Sequence, residues 1–246
     1  MQYPRTFVSL WGPPKSGKTH LGMTWPKPMM AIEIGETGVE DLLHKFPDVD
    51  YRPLIIPVLR PQIEDHARLL DRFEALEQEA IKNPDLRTIL IDSASHLWTS
   101  TYTVMTEEAH RQSERQKRNQ ADFNLANTYF EQIIQVLRQH RQLNIVLVNR
   151  HKEKYARLPD ENGRMVLQTT GEIEARDYKG MENLAQIIIK TGMGTRVDPR
   201  TQRSIIVPRH TVETCRFDKS VEGTEMMNMT YDTLMERIFG GNDAAA

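Results

Sequence analysis

The octapeptide Gly12-Pro13-Pro14-Lys15-Ser16-Gly17-Lys18-Thr19 constrains this chain more than any other stretch of it. It fits G-x-x-x-x-G-K-[ST], the pattern of a loop that wraps phosphate groups. An apolar run, Thr6 to Trp11, precedes it and reads as a buried strand; Thr19 to Trp25 follows and reads as a short helix. Strand, glycine loop and helix are the context the pattern requires. Backbone N–H groups of the loop and of the helix N-terminus converge on one spot, where the helix dipole favours an anion. Gly12 and Gly17 permit backbone angles and close approaches that a Cβ blocks. The sequence therefore predicts a triphosphate site built from Gly12 through Thr19 and His20. Lys18 reaches the β- and γ-phosphates there, and the Thr19 hydroxyl binds Mg²⁺. No motif outside the loop separates adenine from guanine.

Composition bounds the rest. With 246 residues, 39% hydrophobic and 27% charged, the chain suits one soluble α/β domain. No run approaches eighteen apolar residues, so no membrane span is expected. The start, MQYPRTFVSLWG, has no leader layout of basic, apolar and small-residue regions. The single cysteine, Cys215, cannot form an internal disulfide, and its strand-like setting, Val212 to Phe217, marks it as a core residue. These features fit a reducing cytoplasm. The net charge of −2 says nothing of nucleic acid as a whole. Residues 150–219 nevertheless hold 14 Lys/Arg against 10 Asp/Glu, a mildly basic segment suited to a polyanion or to solvent.

Short apolar runs alternate with helical patterns, which predicts a parallel sheet with crossover helices. The runs are Phe7–Trp11, Met29–Ile34, Leu54–Leu59, Thr88–Asp92, Asn144–Val148, Gln186–Lys190 and Ser204–Val207. Apolar positions three and four apart predict a helix from Gln62 to Lys82, and a second from Phe123 to His140. Glu107 to Asn119 is dense in charge and reads as solvated surface. Asn162-Gly163 suggests a hairpin between Arg157-Leu158 and Met165-Val166-Leu167. Residues 1–239 read as a single domain, with a core over about 6–190, an extension over 191–239 and a disordered tail over 240–246.

Hydrolysis needs more than a phosphate loop. Thr88-Ile89-Leu90-Ile91-Asp92 places Asp92 at the C-terminal edge of the sheet as a second Mg²⁺ ligand; capping of the next helix is the alternative. A water-activating carboxylate is expected from Ala31-Ile32-Glu33-Ile34-Gly35-Glu36 if that strand lies beside the loop strand. Glu36, past the strand end, is favoured over Glu33. Asn149 and His151, at the end of the fifth strand, are candidates to sense the γ-phosphate.

Taken in order, GPPKSGKT, IEIGETG, TILIDSASHLW, NIVLVNRHKEKY and TGEIEARDYKGMENLAQIIIK resemble the RecA-like P-loop ATPases, in particular phage-encoded AAA-type nucleotide-binding proteins of recombination and single-strand annealing. The resemblance spans roughly Thr6 to Lys190. It implies a RecA-like, mostly parallel sheet with helices on both faces and a C-terminal β extension. It implies ATP hydrolysis between subunits of a homo-oligomeric ring or filament, with Glu36 as water activator. This chain has Ile34 where the family commonly has an acidic residue, so Glu33 stays open. A basic residue from a neighbouring subunit is expected at the γ-phosphate, with Arg176, Lys179 and Lys190 as candidates. The stretch Lys152–Arg164, with Tyr155, lies where such proteins place loops that contact single-stranded DNA. A single-strand binding protein or another recombination protein is a further expected partner. Two other functions compete: a nucleotide-dependent switch with a protein partner, and a P-loop kinase with Arg111, Arg115, Lys117 and Arg118 as its lid.

Overall fold

Alternation along the strands decides which way each residue faces, and two cores result. In β1 (Phe7–Trp11), Phe7 and Trp11 enter one core, while Val8 and Leu10 enter the other. β2 (Met29–Ile34) does the same, sending Met30, Ile32 and Ile34 one way and Met29 and Ala31 the other. The first core is closed by α2 (Ile63–Lys82), α3 (Ala94–Ser113) and α4 (Gln120–Gln139). The second is closed by α1 (Lys18–Gly22) and α6 (Tyr231–Phe239). Helices thus cover both faces of the sheet. The computed structural model describes residues 3–57, 59–113, 120–140, 143–159, 164–176 and 180–240.

The sheet also contains β3 (Val49–Leu54), β4 (Thr88–Asp92), β5 (Asn144–Pro159), β6 (Met165–Arg176), β7 (Ile187–Val197), β8 (Ser204–Cys215) and β9 (Glu225–Met227). The short helix α5 (Met181–Leu184) precedes β7. The order is β3-β2-β4-β5-β1-β7-β8-β9, with β6 paired to β5. The pairings among β1 to β5, and β1 with β7, are parallel; β6, β8 and β9 pair antiparallel. This is a mixed α/β fold of P-loop type. Among the described residues no helix is long and apolar enough to cross a membrane.

Several sequence boundaries move. The third strand is Val49–Leu54 rather than Leu54–Leu59, because its register is set by β2, with Met29 beside Val49 and Ile34 beside Leu54. Past that point Ile55 and Leu59 are 79% and 87% exposed. The fifth strand does not stop at Val148. It runs on to Pro159 and folds back as β6, so most of the supposedly irregular basic stretch is a hairpin. Arg157 faces Leu167 and Leu158 faces Val166, as Asn162-Gly163 suggested, although that turn lies outside the described residues. Ser204–Val207 and the Cys215 segment form one strand, β8, and Cys215 is buried. β2 does not neighbour β1; β4 and β5 separate them.

One buried group makes stability depend on pH. Glu77, in α2, is 4% exposed and its Oε1 has no hydrogen-bond partner. Burial, with Glu74 nearby, pushes its carboxyl up to about 7. A raised carboxyl pKa favours the protonated form in the fold, so the penalty is absent below about pH 4.5 and complete above about pH 7. Glu77→Gln mimics the protonated form. At pH 8 it is expected to raise stability by on the order of 3 kcal/mol, and at pH 4 to change it little, as read from denaturant melts at the two pH values.

Candidate active site

A cavity of about 570 Å³ opens at the C-terminal edge of the strands. It is lined by Pro14 through His20, Gly35 through Gly38, Asp41, Leu42 and Arg150. The phosphate loop forms its floor. Gly12 sits at φ 150°, and a Cβ there would lie 2.2 Å from the Thr191 carbonyl oxygen, so no other residue fits without moving β7. Gly17, at φ 87°, is the N-cap of α1 and packs over Pro208 of β8. The Thr191 hydroxyl donates to the Trp11 carbonyl at 3.1 Å, which leaves Ser16 Oγ to donate to Thr191 Oγ1 at 2.5 Å. The loop therefore rests on β7 and β8.

Lys18 folds back on the loop, its Nζ donating to the carbonyls of Gly12 (3.0 Å) and Pro13 (2.7 Å). Burial lowers its pKa, against the opposing pull of Asp92 and Glu36. Asp92 lies on the sheet face that α1 covers. It is 1% exposed, and its Oδ2 accepts the Thr19 hydroxyl at 2.5 Å. Its Oδ1 is buried without a partner. Burial pushes this carboxyl up to about 7, although the Thr19 bond pulls it down. A hydroxyl beside a carboxylate that keeps one oxygen unsatisfied offers oxygen donors suited to a hard cation. Gly38 keeps the spot open, since a Cβ there would stand 3.0 Å from Thr19 Oγ1. The described residues hold no group of three or more His, Cys, Asp or Glu side chains for a metal. An ion here would take its remaining ligands from phosphate and water, as Mg²⁺ commonly does.

The two glutamates separate cleanly. Glu33 is 1% exposed and lies outside the cavity lining. Its carboxylate accepts Val39 N (2.7 Å), Glu40 N (3.3 Å) and the Tyr51 hydroxyl (2.8 Å), which pins the turn after β2. Glu36 lines the cavity and accepts Arg150 Nε at 2.6 Å. The condition set for this carboxylate, β2 beside β1, is not met, yet Glu36 lines the same cavity as the loop. The segment after β2 folds back over Thr19 and Asp92, with Gly38 in contact.

The residues at the edge position on the fifth strand divide between the two faces of the sheet. Val146, Val148 and then Arg150 share the α1 face of β5, whereas Asn149 points to the opposite face. Arg150 lines the cavity and Asn149 and His151 do not. Asn149 is buried, donating to Ser9 Oγ at 3.0 Å, and His151 pairs with Ala175 in the hairpin. Strand alternation counted on from Val148 would have found Arg150. Thr191 had no comparable signal, because its role rests on contacts 175 and more residues away in sequence.

Of the basic candidates, Lys190 stands over the Trp11 ring of its own chain, 5.0 Å from the centroid. Arg176 pairs with Arg150 at the hairpin base, and its carbonyl accepts Ser95 Oγ. Neither lines the cavity. Lys179 lies outside the described residues, as do Arg115, Lys117, Arg118 and the side chain of Arg111.

A family model described as "AAA domain" matches residues 5–214, from just before β1 to one residue short of the end of β8. The chain belongs to the AAA domain family. This family is one of nucleotide-binding ATPases, which agrees with a cavity floored by GPPKSGKT. In this AAA domain the matched region takes in the loop, Asp92, the Glu36 turn and Arg150, and leaves β9 and α6 outside. A search of curated proteins returns no match to the chain.

Proposed function

We propose that this AAA domain is an Mg²⁺-dependent, RecA-like ATPase that acts on single-stranded DNA in phage recombination or replication, as a homo-oligomer in the host cytoplasm. The observation that carries the hydrolytic part is one cavity lined by the phosphate loop and by the Glu36–Arg150 pair, with buried Asp92 bonded to the loop's Thr19 just behind its wall. Loop N–H groups and Lys18 bind and orient the triphosphate. To do so, Lys18 leaves the Gly12 and Pro13 carbonyls for phosphate oxygens. Thr19 and Asp92 would hold Mg²⁺, which would supply charge neutralisation for the triphosphate. Glu36 orients the attacking water and takes its proton. Its bond to Arg150 competes with that task, so slow basal turnover is part of the reading.

The DNA part is supported by the β5–β6 hairpin. Tyr155 is 56% exposed, and Arg157 shares its face by strand alternation. An exposed ring beside a cation suits base stacking on a charged backbone track. The expected result is that single-stranded DNA raises ATP turnover and that its binding weakens steeply with salt. A turnover assay with and without oligonucleotide, with binding measured across a salt series, checks this. Neither stimulation nor salt-sensitive binding would favour a second reading, a nucleotide-dependent switch that docks a protein on the same arm. Exposed Met165 and Leu167 support that alternative.

A further inference from the structure

A second pocket lies at the opposite, N-terminal edge of the parallel strands. Its volume is about 180 Å³, against about 570 Å³ for the nucleotide cavity. That is below the range of pockets that enclose drug-sized ligands. Arg5, two residues before β1, and Arg87, the residue before β4, both line it. No ion pair to a carboxylate engages either guanidinium among the described residues. Arg5 Nη1 is buried without a hydrogen-bond partner. Burial and the nearby Arg87 charge both lower the Arg5 pKa, as expected of two cations lacking a shared counter-ion.

The frame around these two groups is fixed. Asn144, which also lines the pocket, accepts Thr6 N at 3.0 Å and donates to the Arg87 carbonyl at 3.0 Å. Arg87 N donates to the Pro28 carbonyl at 2.9 Å. The N-terminus of α6 borders the pocket through Tyr231 and Asp232, and its dipole adds to the positive potential. Asp232 is the one acid in the lining, so the walls carry two positive charges against one negative. Two guanidinium forks with unused donors in a small, pre-formed hollow match a tetrahedral oxyanion.

We propose that this pocket binds a phosphate group, held by Arg5 and Arg87, at a site separate from the nucleotide cavity. The phosphate can come from free inorganic phosphate or from a nucleic-acid phosphodiester, and the recognition chemistry is the same. The site does not depend on the ATPase reading, since it shares no residue with that cavity.

The test uses the full chain carrying Lys18→Ala, so that the phosphate loop contributes little. Inorganic phosphate is titrated calorimetrically at constant ionic strength, with acetate as control. Saturable phosphate binding is expected, with acetate much weaker. Adding Arg87→Gln is expected to weaken phosphate binding about tenfold or more, the loss of a charge-assisted bond. Arg5→Gln serves as the second variant should Arg87→Gln fail to fold. With Lys18 intact, Arg87→Gln leaves ATP affinity unchanged. Absence of saturable binding, equal binding of acetate, or an unaltered constant in a folded Arg87→Gln or Arg5→Gln variant overturns the proposal. A short single-stranded oligonucleotide that displaces phosphate identifies the phosphodiester as the source. One that does not displace it identifies free phosphate, and either outcome supports the shared chemistry.

Discussion

Glu36→Gln is expected to leave ATP bound and to slow its hydrolysis by about two to four powers of ten, the range for removing a positioned general base. Glutamine keeps the shape and can still accept the Arg150 hydrogen bond, so the cavity wall should persist. What it cannot do is take a proton from water. Equilibrium binding of ATP together with single-turnover hydrolysis separates the two effects. Glu33→Gln is the matched control. Its carboxylate accepts two backbone N–H groups and the Tyr51 hydroxyl, so the change is expected to lower stability while hydrolysis per folded molecule persists. If Glu33→Gln abolishes hydrolysis and Glu36→Gln spares it, the roles assigned to the two glutamates are reversed.

Lys18→Ala is the second large effect. Each charge-assisted bond from Nζ to a phosphate oxygen is worth about 1.5–3 kcal/mol, so ATP affinity is expected to fall on the order of 10- to 100-fold. Turnover should fall further, because the ammonium also opposes charge that develops in the transition state. The fold itself should survive. Lys18 bonds only to the Gly12 and Pro13 carbonyls, through part-buried contacts of the loop beside an open cavity that water can enter. Fluorescent-nucleotide titration beside a thermal melt reads both quantities. Undiminished turnover in a folded Lys18→Ala protein would sink the site.

The legible part of this protein was local. GPPKSGKT needs only a strand before it and a helix after it, and both lie within a few residues. Asp92 was readable because four residues of strand pattern in β4, three of them apolar, carry it to the sheet edge. The hairpin turn signal at Asn162-Gly163 matched the pairing of Arg157 with Leu167. What was hidden depends on strand order. Nothing in the chain states that β4 and β5 come between β1 and β2, so strand adjacency is not what brings Glu36 to the cavity. Residue type alone does not separate Asn149 from Arg150; the face of the strand each occupies does. The two faces differ fully in what they meet, Asn149 finding Ser9 and Arg150 finding Glu36.

Ser16 and Thr191 meet across 175 residues of sequence, and Gly12 lies against the same threonine. Protein synthesis is directional, so the phosphate loop leaves the ribosome early while the strands that bed it leave late. Through most of translation the loop has no surface to lie on. Competence to hold nucleotide is thereby tied to completion of β7 and β8, and a nascent or truncated chain lacking them carries the motif without the site.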